Sequence, residues 1–187
     1  MKFSRATHLV ICVNDRYKWL TGATYRRLTS ELAKIKVKLN KDKTKIVDLT
    51  KEETFSFLGF VYRRVKTPKG KFSVVIIPKI KARTALLQKL KEIFARFVSQ
   101  PVSRIIYLIN PIIRGWVNYF RIGHSSKCFG YVKSWVEKKI RKHLQHARKH
   151  HGFGWNRWSS AWLYNTLRLY NNYKIRYSPM HKSAVSW

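Results

Sequence analysis

The sequence predicts an α+β protein in which a small strand-bearing unit precedes a mainly helical remainder. Up to Pro78 the apolar residues fall in short runs or alternations of β type around one helical stretch. Beyond Pro78 they recur at the 3.6-residue period of helices. The chain is 45% hydrophobic and 14% aromatic, enough to build a core that a disordered basic arm lacks. Its 187 residues suit one large domain or two small ones.

Within residues 3–13 the run Leu9-Val10-Ile11-Cys12-Val13 is expected to be a buried strand, ended by the turn signal Asn14-Asp15. From Asp15, a candidate N-cap, to about Lys36 the residues Trp19, Ala23, Leu28, Leu32 and Ile35 keep roughly helical spacing. Gly22 weakens that helix without breaking it. Alternation from Lys43 to Leu49 predicts another strand. Phe55 to Tyr62 is aromatic and β-prone, Thr67-Pro68-Lys69-Gly70-Lys71 is a turn, and Phe72 to Ile77 returns from it. Together they predict a β-hairpin with a basic tip.

The first helix after Pro78 places Leu86, Leu87, Leu90, Ile93, Phe94 and Phe97 on one face and ends near Gln100-Pro101. Ser103 to Phe120 is apolar on nearly all sides, which predicts a central helix divided or kinked at Pro111. A loop is expected over 123–130. Tyr131 to about His150 predicts a third helix with Tyr131, Val132, Trp135, Val136, Ile140 and Leu144 inward. Gly152-Phe153-Gly154 breaks it, and Trp158 to Leu169 predicts one more amphipathic helix.

Forty Lys and Arg against eight Asp and Glu give a formal net charge of +32, and from Ile93 to Trp187 the only acidic side chain is Glu137. Self-repulsion on that scale calls for a polyanion, and nucleic acid answers it because Lys and Arg displace the counterions condensed on phosphates. Cys12 and Cys128 form no CxxC pair and predict reduced thiols, as in a bacterial cytoplasm or an organellar matrix. His143, His146, His150 and His151 include one i,i+4 pair, yet no acid or Cys stands near to complete a metal site, so they are expected to face phosphates. No apolar run approaches a membrane span, and no membrane partner is expected. No cofactor, metal or catalytic residue is expected either.

Several stretches carry a family resemblance. They are Leu39-Asn40-Lys41-Asp42-Lys43-Thr44-Lys45-Ile46, then Phe57-Leu58-Gly59-Phe60, then the run from Asn110-Pro111-Ile112-Ile113-Arg114-Gly115-Trp116 to Val117-Asn118-Tyr119-Phe120-Arg121, then Gly152 to Ser159 with Trp162-Leu163-Tyr164. In this order the chain resembles the C-terminal half of a group II intron reverse transcriptase/maturase. The resemblance implies a palm remnant at 1–78, thumb helices at 79–122 and a maturase-specific helical domain at 123–187. In that family the palm strand carries Tyr-Ala-Asp-Asp, whose carboxylates bind catalytic Mg²⁺. Here the stretch before Leu9 reads Arg5-Ala6-Thr7-His8. A hydroxyl and an imidazole cannot replace the hard anionic oxygens that two-metal phosphoryl transfer needs. The family's fingers and remaining palm carboxylate would precede Met1.

The resemblance therefore implies a non-catalytic RNA-binding protein that stabilises folded intron or other structured RNA in a ribonucleoprotein. Alternatives are a domesticated component of a larger ribonucleoprotein such as a ribosome, with other protein subunits as partners, and half of a split reverse transcriptase. The expected RNA contacts begin with Lys66, Lys69 and Lys71 at the hairpin tip, then Lys79, Lys81 and Arg83, then Arg114, Arg121 and Lys127. The outward face of the third helix adds Lys133, Lys138, Lys139, Arg141, Lys142, Arg148 and Lys149, and the C-terminal region adds Arg157, Trp158, Arg168, Lys174 and Arg176. Alternatives stay open at four residues, two of them outside this list. Trp116 belongs to the core or to an RNA motif, with Gly115 a close helix–helix contact in the first case. Arg114 meets a phosphate or a neighbouring carbonyl. Trp155 and Trp158 pack in the core or stack on bases.

Overall fold

The structure, a computed structural model, describes residues 18–36, 49, 54–152 and 154–176. The strand expected within 3–13, the cap at Asp15, the Arg5–His8 stretch, Cys12, Phe153, and all of the expected 43–49 strand but Leu49 lie outside the described residues. The chain divides into two compact units, 1–75 and 76–187. Mixed α+β architecture is confirmed: a three-stranded sheet of order β1-β2-β3 precedes a mainly helical region.

In the first unit α1 (Lys18–Lys34) ends in a turn closed by the Lys36 amide on the Ala33 carbonyl, with Lys36 at φ 55°. The aromatic stretch expected as one strand is two, β1 (Phe55–Phe57) and β2 (Phe60–Lys66). They are antiparallel, with Phe55 opposite Tyr62 and Phe57 opposite Phe60. Between them Leu58 and Gly59 both take positive φ, 47° and 79°, the requirement of a two-residue turn whose twist matches the strands. The Phe55 and Tyr62 rings stack at 4.5 Å. The turn from β2 to β3 (Phe72–Pro78) is closed by Thr67, whose amide and hydroxyl both donate to the Lys71 carbonyl.

The second unit is built on three helices: α2 (Ile80–Arg96), α3 (Val102–Phe120) and α4 (Ser126–Ala147). Each packs against the other two. The core lies where their apolar stripes meet: Leu90, Ile105, Ile109, Ile113, Val117, Val132, Val136 and Ile140 are wholly buried. α3 runs unbroken through Pro111. The proline and Tyr107, whose carbonyl loses its helical donor, both lie on the exposed face of α3, where water can replace the missing bond.

The expected 123–130 loop shrinks to the residues before Ser126. Gly123, at φ 87°, is the real break, and a Cβ there would come within 2.6 Å of the Ile76 carbonyl oxygen. The next residue uses that proximity: the His124 amide donates to the Ile76 carbonyl at 2.7 Å, and its Nδ1 accepts from the Ile76 amide at 3.3 Å. Tyr131, expected inward, is half exposed and lies under the Arg83 guanidinium at 4.4 Å. The last helix is also shorter than its apolar pattern suggested. α5 covers only Ser160–Asn165, capped by the Ser159 hydroxyl accepting from the Trp162 amide, and Arg168 at φ 55° ends helical continuation.

The segment after α5 has no regular secondary structure and is held by polar side chains from α3 and its end. The Asn110 amide nitrogen donates to the Arg168 carbonyl at 3.0 Å, and its oxygen accepts from the Tyr170 amide at 2.9 Å. Arg121 donates to the Tyr170 hydroxyl and to the Asn172 carbonyl, both at 3.0 Å. Replacing Asn110 with Ala leaves both backbone groups unpartnered, so stability should fall by about 1–3 kcal/mol in urea unfolding. The Tyr170 amide should exchange its hydrogen faster in the same variant.

Candidate nucleic-acid interface

The expected RNA contacts separate into four environments. Lys66, Lys69 and Lys71 are exposed at the tip of the β2–β3 turn. Lys79, Lys81, Arg114, Lys127, Lys138, Lys142, Arg148, Lys149, Arg157, Arg168, Lys174 and Arg176 are exposed on the second unit. Arg83, Lys133 and Lys139 are half-buried. The Lys133 amine sits 5.0 Å from the centre of the Tyr164 ring, and the Lys139 amine 5.4 Å from that of Trp135.

Three residues are inside the fold. Arg121 is taken up by the C-terminal segment described above. Arg141, expected on the outward face of α4, is 1% exposed. Trp158 is buried at 5% exposure, which decides its open alternative in favour of packing. Trp155 is 50% exposed with the Arg141 guanidinium 4.2 Å from its ring centre. Trp116 packs against Phe120 and Phe129, whereas Gly115 is exposed with open space where a Cβ would go, so no described helix approaches it. His143 is likewise buried, its Nε2 on the Gln100 carbonyl at 3.0 Å.

Arg141 belongs to a buried polar network that sequence reasoning did not assemble. Its guanidinium meets the Glu137 carboxylate at 3.1 Å, one helical turn away. It also donates to the Trp158 carbonyl at 2.8 Å and the Ser160 hydroxyl at 3.0 Å. The Ser160 hydroxyl donates to Glu137 at 2.8 Å, and the Tyr164 hydroxyl donates to the other carboxylate oxygen. Burial by itself would raise the Glu137 pKa, but hydrogen bonds from Tyr164, Ser160 and Arg141 outweigh it and leave the carboxyl below its usual value. Burial and the adjoining carboxylate push the Tyr164 hydroxyl well above its usual value. The signal for this network lay in the i,i+4 spacing of Glu137 and Arg141 and in the solitude of that carboxylate.

A groove runs along the C-terminal half of α4. Three clefts adjoin. One of about 250 Å³ lies between α2 and α4, against Phe94, Val98, Lys139 and Lys142. A second, of about 580 Å³, shares Val98, Lys142 and His146 with it and extends to His150 and His151. The third, of about 510 Å³, shares those two histidines and reaches Trp155 and Arg157. None of the described residues lining the three is acidic. Burial, then the charges of Lys142, Lys91 and Lys138, depresses the Lys139 pKa. The arrangement can bind and position phosphates. Among the described residues, no group of three or more His, Cys, Asp or Glu gathers as a metal site would require. No described helix is long and apolar enough to cross a membrane.

Residues 83–162 match the family model described as group II intron, maturase-specific domain. The match starts in the first turn of α2 and ends in α5, so it includes all of α3 and α4 and every member of the buried network but Tyr164. A search of the curated proteins finds no match.

Glu137→Gln keeps the side-chain volume but leaves a buried guanidinium without its counter-charge, and should cost about 3–5 kcal/mol in urea unfolding. Because the folded pKa of Glu137 is depressed, its contribution is complete above the unfolded value near 4.5 and is lost as pH falls through the lower folded value. Unfolding midpoints measured between neutral and acid pH should show that loss in the wild type. The Gln variant should lack this component.

Proposed function

We propose that this chain is a non-catalytic RNA-binding protein of the group II intron maturase type, which stabilises folded intron or other structured RNA within a ribonucleoprotein. The observation that carries the reading is the maturase-specific match at 83–162, over a surface whose cations have no acidic neighbours along the α4 groove. The one acidic side chain after Ile93 is consumed internally by Arg141. Nothing acidic along the groove competes with an incoming phosphate. Lys142, Lys149 and Arg157 then serve as phosphate contacts, and His146, His150 and His151 as further donors between them.

The role proposed for the protein is to hold RNA in shape while any splicing chemistry belongs to the RNA. The lack of polymerase activity rests on the sequence Arg5-Ala6-Thr7-His8, where the resembled family has its paired carboxylates. Without them, no residue of that stretch can hold Mg²⁺ against attacking and leaving oxygens.

Affinity for a structured RNA should fall steeply and log-linearly with salt, measured by filter binding or fluorescence anisotropy. Lys142→Gln, Lys149→Gln and Arg157→Gln should each reduce that slope by about 1. A flat salt dependence would overturn the phosphate-driven reading. The purified chain should give no primer extension with Mg²⁺ and deoxynucleotides, and templated synthesis by it alone would overturn the non-catalytic one.

A further inference from the structure

We infer that the cleft between α2 and α4 is a subsite for one nucleotide turned out of an RNA helix, with its base on Ala95 and Val98 over the Phe94 ring and its phosphates on Lys91, Lys139 and Lys142. The inference rests on the RNA-binding reading and specifies which part of the RNA the protein grips most closely. Two properties of the cleft coincide. Its rim is cationic from both helices, Lys91 on α2 and Lys139 and Lys142 on α4. Beside His143 and His146, the rest of its lining is apolar: Ala95 and Val98 are exposed, Val98 at 43%, and Phe94 is buried in T-shaped contact with Trp135.

A surface that only tracks a phosphate backbone has no use for such a floor. The bases of an intact A-form helix are stacked, and its reachable surface is sugar and phosphate. An unstacked base, by contrast, brings a flat, weakly polar face with an anion attached on either side. That combination matches an apolar floor within a ring of amines. The cleft is small, about 250 Å³, and opens through Val98, Lys142 and His146 into the larger 580 Å³ cavity. One base fits the first space, and the flanking backbone continues through the second. Burial, and after it the charges of Lys142, Lys91 and Lys138, lowers the Lys139 pKa, and a phosphate among these amines offsets their mutual repulsion.

The test compares two RNAs on the full chain: a short duplex, and the same duplex with one bulged adenosine replaced by 2-aminopurine. The wild type should bind the bulged RNA about fivefold or more tightly, with a change in 2-aminopurine emission. Ala95→Trp fills the floor from an exposed helix position without altering charge. It should abolish both the preference and the emission change, and leave affinity for the paired duplex within about twofold. Val98→Ser, which removes apolar floor without filling space, should weaken the preference in the same direction. Equal, salt-sensitive binding of both RNAs by the wild type would overturn this inference and leave the RNA-binding function standing. A preference that survives Ala95→Trp would also overturn it. So would an acidic amphipathic peptide that binds in a manner sensitive to Ala95→Trp while the two RNAs are not distinguished, which would assign the cleft to a protein ligand. Failure to bind either RNA at low salt would overturn both readings together.

Discussion

The second unit depends on one buried ion pair. Glu137 and Arg141 face each other one turn apart on α4, and between them they engage the Trp158 carbonyl, the Ser160 hydroxyl and the Tyr164 hydroxyl. Without those bonds the 155–165 stretch keeps the burial of Trp158 and Leu163 but loses its polar anchors, and a six-residue helix is too short to stand by itself. A buried ion pair commonly gains little over a well-packed apolar pair, because each charge loses its hydration. Here the remaining donors and acceptors are nearly all engaged, which is the condition under which such a pair holds its place. The geometry also specifies direction, because only one register of the 155–165 stretch brings Ser160 and Tyr164 to the same carboxylate.

The pair also sorts the charges of the second unit. Arg141 and Arg121 are turned inward, each to carbonyls or hydroxyls of the C-terminal segment. The remaining described cations stay at the surface or are half-buried beside aromatic rings, as Lys133 is over Tyr164 and Lys139 over Trp135. Cation–aromatic contacts let a crowded amine keep its charge in partial burial, though at Lys139 burial and then the nearby lysines still lower its pKa. The result is a surface of nearly one sign beside a core that has consumed its only acid.

Much of the fold was legible from periodicity. The apolar stripes of α2, α3 and α4, the turn at 67–71 and the mixed class follow from patterns within a few residues of one another. The misjudged features have their cause elsewhere. Leu58-Gly59 is a turn because of paired positive φ angles, which no apolar count reveals. The helix expected at 158–169 is cut short where Asn110, some sixty residues earlier, claims the backbone at Arg168 and Tyr170. The candidate site shows the same division. Its abundance of Lys and Arg was visible, but inward-turned Arg141 and Arg121 could not be told from their neighbours without knowing which carbonyls come near them. The conspicuous Asn110–Arg121 stretch takes part of its character from this clasp, since its first and last residues hold the C-terminal segment.

The contact of Ile76 with Gly123 and His124 has a further consequence. It joins the chain just before α2 to the chain just after α3, so the two helices and their 97–101 connection form a closed circuit. That connection is exposed from Val98 to Pro101 and is the natural place for a protease to cut. A single nick there would leave the two pieces clasped at the far end and packed along their length, migrating together until denaturant parts them.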